Sequence, residues 1–336
     1  MAATDSPQTL SELRTDFLNR VREATGVSSV NTMVDRYLNI GLKDMHMHKQ
    51  WWWAERRSQI ITKVPYSTGT VDVSQGGTAV TGTSTAWTTA DSFGNNNATA
   101  GDKVTINGQD VYVVDAVGSA TSMTLANRYV GSTVDDGGYT VYQDEYALAS
   151  DFESPLDARL FSPERNIHLI GPKEFYLRFS RNNIRQAPQY ATLLELGPSG
   201  SVTGRRRVIF GPAPDKAYMI PYRYITSNLA VTSAGATQSQ LSGNTDEPIV
   251  PVRYRVAIVL NAAYHWYRDR KNDVRSQEMK AEYTDMVIRI SNDHVPEIAD
   301  RIRFLPLTRV GQRRVVSRRR YGSASYPNVD WFDQLR

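Results

Sequence analysis

The chain has 336 residues, 40% apolar and 22% charged, which is enough to bury a sizeable core and suggests two domains. It contains no cysteine, so disulfides, zinc–thiolate sites, iron–sulfur clusters and a thiol nucleophile are excluded. The net charge of +4 is uneven: residues 301–320 hold eight arginines and no acid, which leaves 4 − 8 = −4 for the rest, an acidic body with a basic strap.

Residues 10–63 read as helix. Thr9-Leu10-Ser11-Glu12 has capping-box spacing, and Leu10, Leu13, Phe17 and Val21 form one helical stripe. Gly26 stops this helix. A second has Val34, Tyr37, Leu38, Gly41, Leu42 and Met45 on one face and runs into Trp51-Trp52-Trp53.

Residues 67–143 are rich in small and polar residues, with period-two pairs at Val71/Val73, Val104/Ile106, Val111/Val113, Met123/Leu125 and Tyr139/Val141. Asn107-Gly108 between two of these runs predicts a hairpin. A small antiparallel barrel or sandwich is expected.

Residues 144–250 are mixed: a short helix opens at Pro172, strands are expected at 191–196, 206–210 and 217–225, and 230–247 is a polar loop. Helix returns at Pro251, with Val256, Val259, Leu260, Ala263 and Tyr267 on one face, a break at 269–273, and a second stripe of Met279, Tyr283, Met286, Val287 and Ile290. The predicted class is α+β. The N- and C-terminal helices pack as an α-helical bundle around an inserted β module and a further β-hairpin region, followed by an extended C-terminal tail. The predicted divisions are 1–66 and 251–300 for the helical body, 67–143 for the insertion, 144–250 for a β-rich connector and 301–336 for the tail. An inserted segment requires its ends, near Tyr66 and Tyr142, to lie together.

No apolar run exceeds five residues, against roughly 20 for a membrane helix. The first residues lack a basic region followed by an apolar one, so a soluble chain without a secretory signal is expected.

Motifs of chemistry are missing: there is no phosphate loop, dinucleotide fingerprint, nucleophile elbow, zinc-protease or EF-hand pattern. His46 and His48 would share a face only on a strand, and His265 with Asp269 reads as a helix-surface pair. No catalytic residue, cofactor or metal is expected. Trp51, Trp52 and Trp53 cannot all face one core from a helix, so at least one meets something beyond the local helix pair, either the chain's own β region or a subunit interface. Arg205 and Arg207 share one side of a strand and are candidates to grip a neighbour's carboxylates. In the tail, Arg309, Arg313, Arg314, Arg318, Arg319 and Arg320 suit bidentate pairing to a partner or contact with DNA phosphates, with Trp331-Phe332 as an aromatic anchor.

These residues together resemble the head-to-tail adaptor (connector) proteins of tailed bacteriophages. The likeness rests on Tyr37–Asp44 followed by Trp51-Trp52-Trp53-Ala54-Glu55-Arg56-Arg57, on the run Tyr142–Phe152, and on Pro251–Tyr254 through Ala262–Arg270 with Glu282-Tyr283. The insertion resembles β modules of phage virion proteins at Gly82–Trp87, Gly101–Gly108 and Thr121–Leu125. The resemblance spans roughly residues 10–300. It implies a homo-oligomeric ring, usually of twelve copies, seated below the portal protein. The ring joins the capsid to tail nozzle or hub proteins and passes genomic DNA without sequence specificity. It also implies a C-terminal extension that grips the portal, and a place at the virion neck after assembly in the host cytoplasm. No membrane partner is expected.

Two other readings are open. One is a virion-borne cell-wall-degrading enzyme, with Glu145, Asp151 or Glu153 as acids. The other is a tail or tail-fibre receptor-binding protein that presents Trp87 of the β module to a sugar.

Overall fold

The computed structural model describes residues 8–23, 28–108, 110–156, 159–161, 166–195 and 206–293. Chain contacts separate a unit of residues 1–290 from a second at 291–336, and the first is described below.

The fold is mixed α+β, with five α-helices among the described residues. Helix α1 (Leu10–Val21) begins at the predicted capping box: the Thr9 hydroxyl accepts from the Glu12 N–H, and the Glu12 carboxylate accepts from the Thr9 N–H. Two further N-terminal donors, Leu10 N–H and Ser11 N–H, are satisfied from a distant loop by the Asp246 and Asn244 carbonyls. Helix α2 (Ser28–His48) buries Val34, Leu38, Leu42 and Met45, as its periodicity predicts.

The helical reading of 10–63 ends too late. After α2 the chain makes a single 3₁₀ turn at Trp52–Ala54 and becomes strand β1 (Glu55–Ile61). Antiparallel pairing with the strand Met219–Thr226, seven residue pairs from Glu55↔Ile225 to Ile61↔Met219, overrides local helix propensity.

The insertion contains β2 (Thr70–Val73), β3 (Ala79–Thr83), β4 (Lys103–Ile106), β5 (Val111–Ser119), β6 (Ser122–Leu125), β7 (Val134–Gly137) and β8 (Tyr139–Tyr142). They form one antiparallel sheet in the order β7-β2-β3-β6-β5-β4-β8. The two edge strands, β7 and β8, are joined by Gly138 alone, so the sheet curls as a half-barrel. Asn107 and Gly108 both have positive φ in the β4–β5 hairpin, as their sequence suggests. Tyr66 and Val141 exchange both backbone hydrogen bonds at 2.8 Å, so the two ends of the insertion lie side by side.

The connector supplies β9 (Glu145–Ala147), β10 (Phe152–Pro155), β11 (Arg159–Phe161), β12 (Asn166–Leu169), α3 (Pro172–Arg178), β13 (Tyr190–Glu195), β14 (Arg206–Gly211) and β15 (Met219–Thr226). The sheets β1-β15-β10 and β11-β12-β13-β14-β9 share one core, in which Ile60, Ile220 and Tyr222 meet Tyr146, Val208 and Phe210. The polar 230–247 segment is more ordered than a loop: β16 (Ala230–Val231), β17 (Thr237–Gln238) and β18 (Glu247–Pro248) form a small sheet, and Leu241 is buried.

Helix α4 (Val256–Asp269) is apolar over most of its surface and runs beside both α1 and α2. Gly41 permits the close approach: a Cβ there would sit 2.7 Å from the Ile258 carbonyl oxygen. Helix α5 (Asp273–Asp293) adds Val287 and Ile290 to the same core, with Met279, Tyr283 and Met286 packed against it.

Candidate interaction surface

The three tryptophans separate by environment. Trp51 and Trp53 stack at 4.6 Å with rings 9° from parallel, are 1% and 7% exposed, and belong to the core shared by the terminal helices. The Trp51 indole N–H donates to the Met45 carbonyl at 2.6 Å, which fixes the turn out of α2. As interface candidates Trp51 and Trp53 are therefore corrected: their surface is spent inside the chain. Trp52 stays 41% exposed, edge-on to Trp53.

Arg207, on β14, pairs with Glu145 of β9 at 3.0 Å, a cross-strand contact within one sheet. Arg205 and the tail residues Arg309, Arg313, Arg314, Arg318, Arg319, Arg320, Trp331 and Phe332 lie outside the described residues.

The histidines also differ from expectation. His265 does not pair with Asp269; its Nε2 lies 2.7 Å from Asp44 on α2, while Asp269 accepts from the Tyr37 hydroxyl at 2.7 Å. Both contacts tie α4 to α2, and packing across the helices wins over the i,i+4 pair on one of them. His46 lies 2.5 Å from Glu153, and His48 is exposed. No group of three or more potential ligands converges on a metal-sized site among the described residues.

The acids named for an enzyme each hold a neighbouring element. Glu145 binds Arg207, Glu153 binds His46, and Asp151 accepts from the Tyr224 hydroxyl at 2.7 Å and the Thr226 hydroxyl at 2.6 Å. The Tyr224 hydroxyl is pushed above its ordinary pKa by burial and by the Asp151 carboxylate it donates to. Trp87 is fully buried, edge-on to Tyr139, with its N–H donating to the Tyr139 hydroxyl at 3.0 Å. It is a core residue of the curled sheet and has no face to offer a sugar.

A cleft of about 710 Å³ runs along the outer side of α2. Arg36, Ile40, Lys43 and Met47 form one wall; Glu153, Leu229 and Gln240 contribute to the other. With Met33 added, the outward residues of α2 read Met33, Arg36, Ile40, Lys43, Met47, in steps of three and four that keep them on one ridge. The ridge lies opposite the buried Val34–Leu38–Leu42–Met45 stripe and alternates apolar with cationic side chains. Among the described residues neither Arg36 nor Lys43 has a carboxylate partner, while Met33 and Met47 are exposed.

The sequence carries a signal for this ridge: beside its inward apolar stripe, α2 has a second, polar–apolar period on its outward face. No protein-family model matches the chain, and no curated protein matches it.

Proposed function

We propose that this chain is a non-enzymatic structural protein of a phage virion, a head-to-tail adaptor whose copies form a ring below the portal and join the capsid to the tail. In this reading α1, α2, α4 and α5 act as one α-helical ring body, the curled sheet is an attachment to it, and residues 301–336 dock to the portal. The observation that carries the reading is the single core built from helices of both chain ends, with the β-rich remainder leaving and rejoining it. Such a body can present two unlike outer faces, which a head-to-tail ring needs. The open, cation-bearing cleft is one of them.

The test is the location of the polypeptide. Gold labelling of an added tag on purified particles, viewed by negative stain, is expected to mark the neck. Removal of 301–336 is expected to leave folding intact and to abolish binding to portal-bearing capsids. A label on fibres or on free tails, or a truncated chain that still binds those capsids, would overturn the assignment to which it speaks.

A further inference from the structure

The outward face of α5 complements the α2 ridge. Opposite its buried Val287 and Ile290, α5 presents Val274, Glu278, Ala281, Asp285 and Ile288, all exposed. Val274 and Ile288 are among the most exposed apolar residues described, at 72% and 53%. This stripe alternates apolar with acidic side chains, where the α2 ridge alternates apolar with basic ones.

The lengths and steps also agree. Met33 to Met47 and Val274 to Ile288 each span about 21 Å of helix. Read backwards, α5 has the same three-four-three-four steps as α2 read forwards. Antiparallel packing therefore sets Met33 against Ile288, Arg36 against Asp285, Ile40 against Ala281, Lys43 against Glu278 and Met47 against Val274. Every contact joins apolar to apolar or cation to anion. Within one chain the two ridges cannot meet, because each lies on the side of its helix turned away from the core that both helices share.

We infer that a second copy of this chain seats its α5 ridge, antiparallel, in the α2 cleft of the first. The contact joins unlike faces, so an open assembly keeps one free ridge of each kind, at its two ends, and growth continues until it closes. It rests on the ring reading above and names the surfaces that build it. Glu278 already meets Arg275 on its own helix at 3.0 Å, with both side chains about half exposed. Exchanging that pair for Lys43 has little cost, because exposed i,i+3 pairs contribute little. Ala281, small at the centre, lets the helices approach at Ile40.

Charge reversal tests the inference on the full-length protein by sedimentation velocity. Wild type is expected to self-associate, more weakly as salt rises. R36E/K43E and E278K/D285K are each expected to weaken association at least about tenfold, since like charges then face each other. The quadruple variant R36E/K43E/E278K/D285K is expected to regain it, which a merely unfolded chain does not do. Association unaffected by either double reversal, a quadruple variant that stays dissociated, or a wild type monomeric at all concentrations would overturn this contact. Particles labelled at the neck but built from variants that associate normally would overturn the contact alone. Association through these ridges by a chain absent from the neck would overturn the adaptor reading alone.

Discussion

Lys63 reaches Asp102 at 2.5 Å with both side chains almost sealed from solvent, and it does so across the seam between the body and the curled sheet. A second pair crosses the same seam with the charges reversed: Lys103 of the sheet binds Asp144 of the body at 2.5 Å. Asp144 also accepts from the Asn182 amide, and Asp102 from the Thr99 N–H. Removing one partner leaves a buried charge. D102N is expected to destabilise the protein by about 3–5 kcal/mol, measured by urea denaturation. The double change K63M/D102L is expected to cost much less, because no unpaired charge remains. Equal losses in both variants would show that the pair is not sealed as described.

Asp246 organises the segment that caps α1. Its Oδ2 accepts from the Gly243 and Ser242 N–H groups at 2.6 and 2.8 Å and from the Gln238 amide at 2.5 Å. These bonds, that from Gly243 foremost, hold the carboxyl below the ordinary carboxylate range against the opposing effect of burial. A depressed folded-state pKa gives stability that is present above the unfolded value of about 3.9 and is lost as pH falls through the folded value. Stability measured between about pH 6 and pH 3 is expected to fall less steeply in D246N than in wild type. D246A is expected to cost about 1–3 kcal/mol at neutral pH.

The adjacent tryptophans provide an internal contrast. W51A opens a cavity in the shared helical core and removes a stacked ring, with an expected cost of about 3–5 kcal/mol. W52A is expected to cost clearly less than W51A, since Trp52 is 41% exposed and opens no cavity in the core. Thermal denaturation followed by circular dichroism distinguishes the two; similar shifts would contradict the burial difference.

Tyr139 reports on the curled sheet. Burial is the main cause that pushes its hydroxyl up to about 12, against the Trp87 hydrogen bond, which lowers it. An acid raised in the folded state contributes stability below its unfolded value of about 10 and loses it as pH rises from there towards 12. Ultraviolet titration is expected to show a tyrosine ionising late in wild type. Y139F is expected to resist alkaline unfolding better.

Much of the fold was legible in the sequence because inward stripes have simple periods. The capping box, both α2 and α5 inner faces and the helix at Pro172 were all readable. Five strands of the insertion were readable too, but not always their buried face: Val111 and Val113 suggested the core side of β5, whereas Tyr112 and Val114 are buried. A tyrosine and its neighbouring valines satisfy period two in either phase, and only the sheet around them selects one. Strand β1 was hidden because Glu55-Arg56-Arg57 favours helix locally and becomes a strand through β15. Of the candidate surface, the tryptophan cluster was visible as a group, but which ring faces out depends on the 3₁₀ turn. The cleft beside α2 was not legible, because its far wall comes from residues 153 and 227–240, remote in sequence.

The crossed ion pairs make the seam electrically balanced on each side. The body contributes Lys63 and Asp144, and the inserted sheet contributes Asp102 and Lys103, so each part carries one cation and one anion. With Tyr66 and Val141 already paired, a tight two-residue turn is long enough to bridge the gap that excision would leave. The β-rich part of the body, where Lys63 follows β1 and Asp144 precedes β9, is thus suited to gain, lose or trade such appendages without accumulating net charge where they were joined.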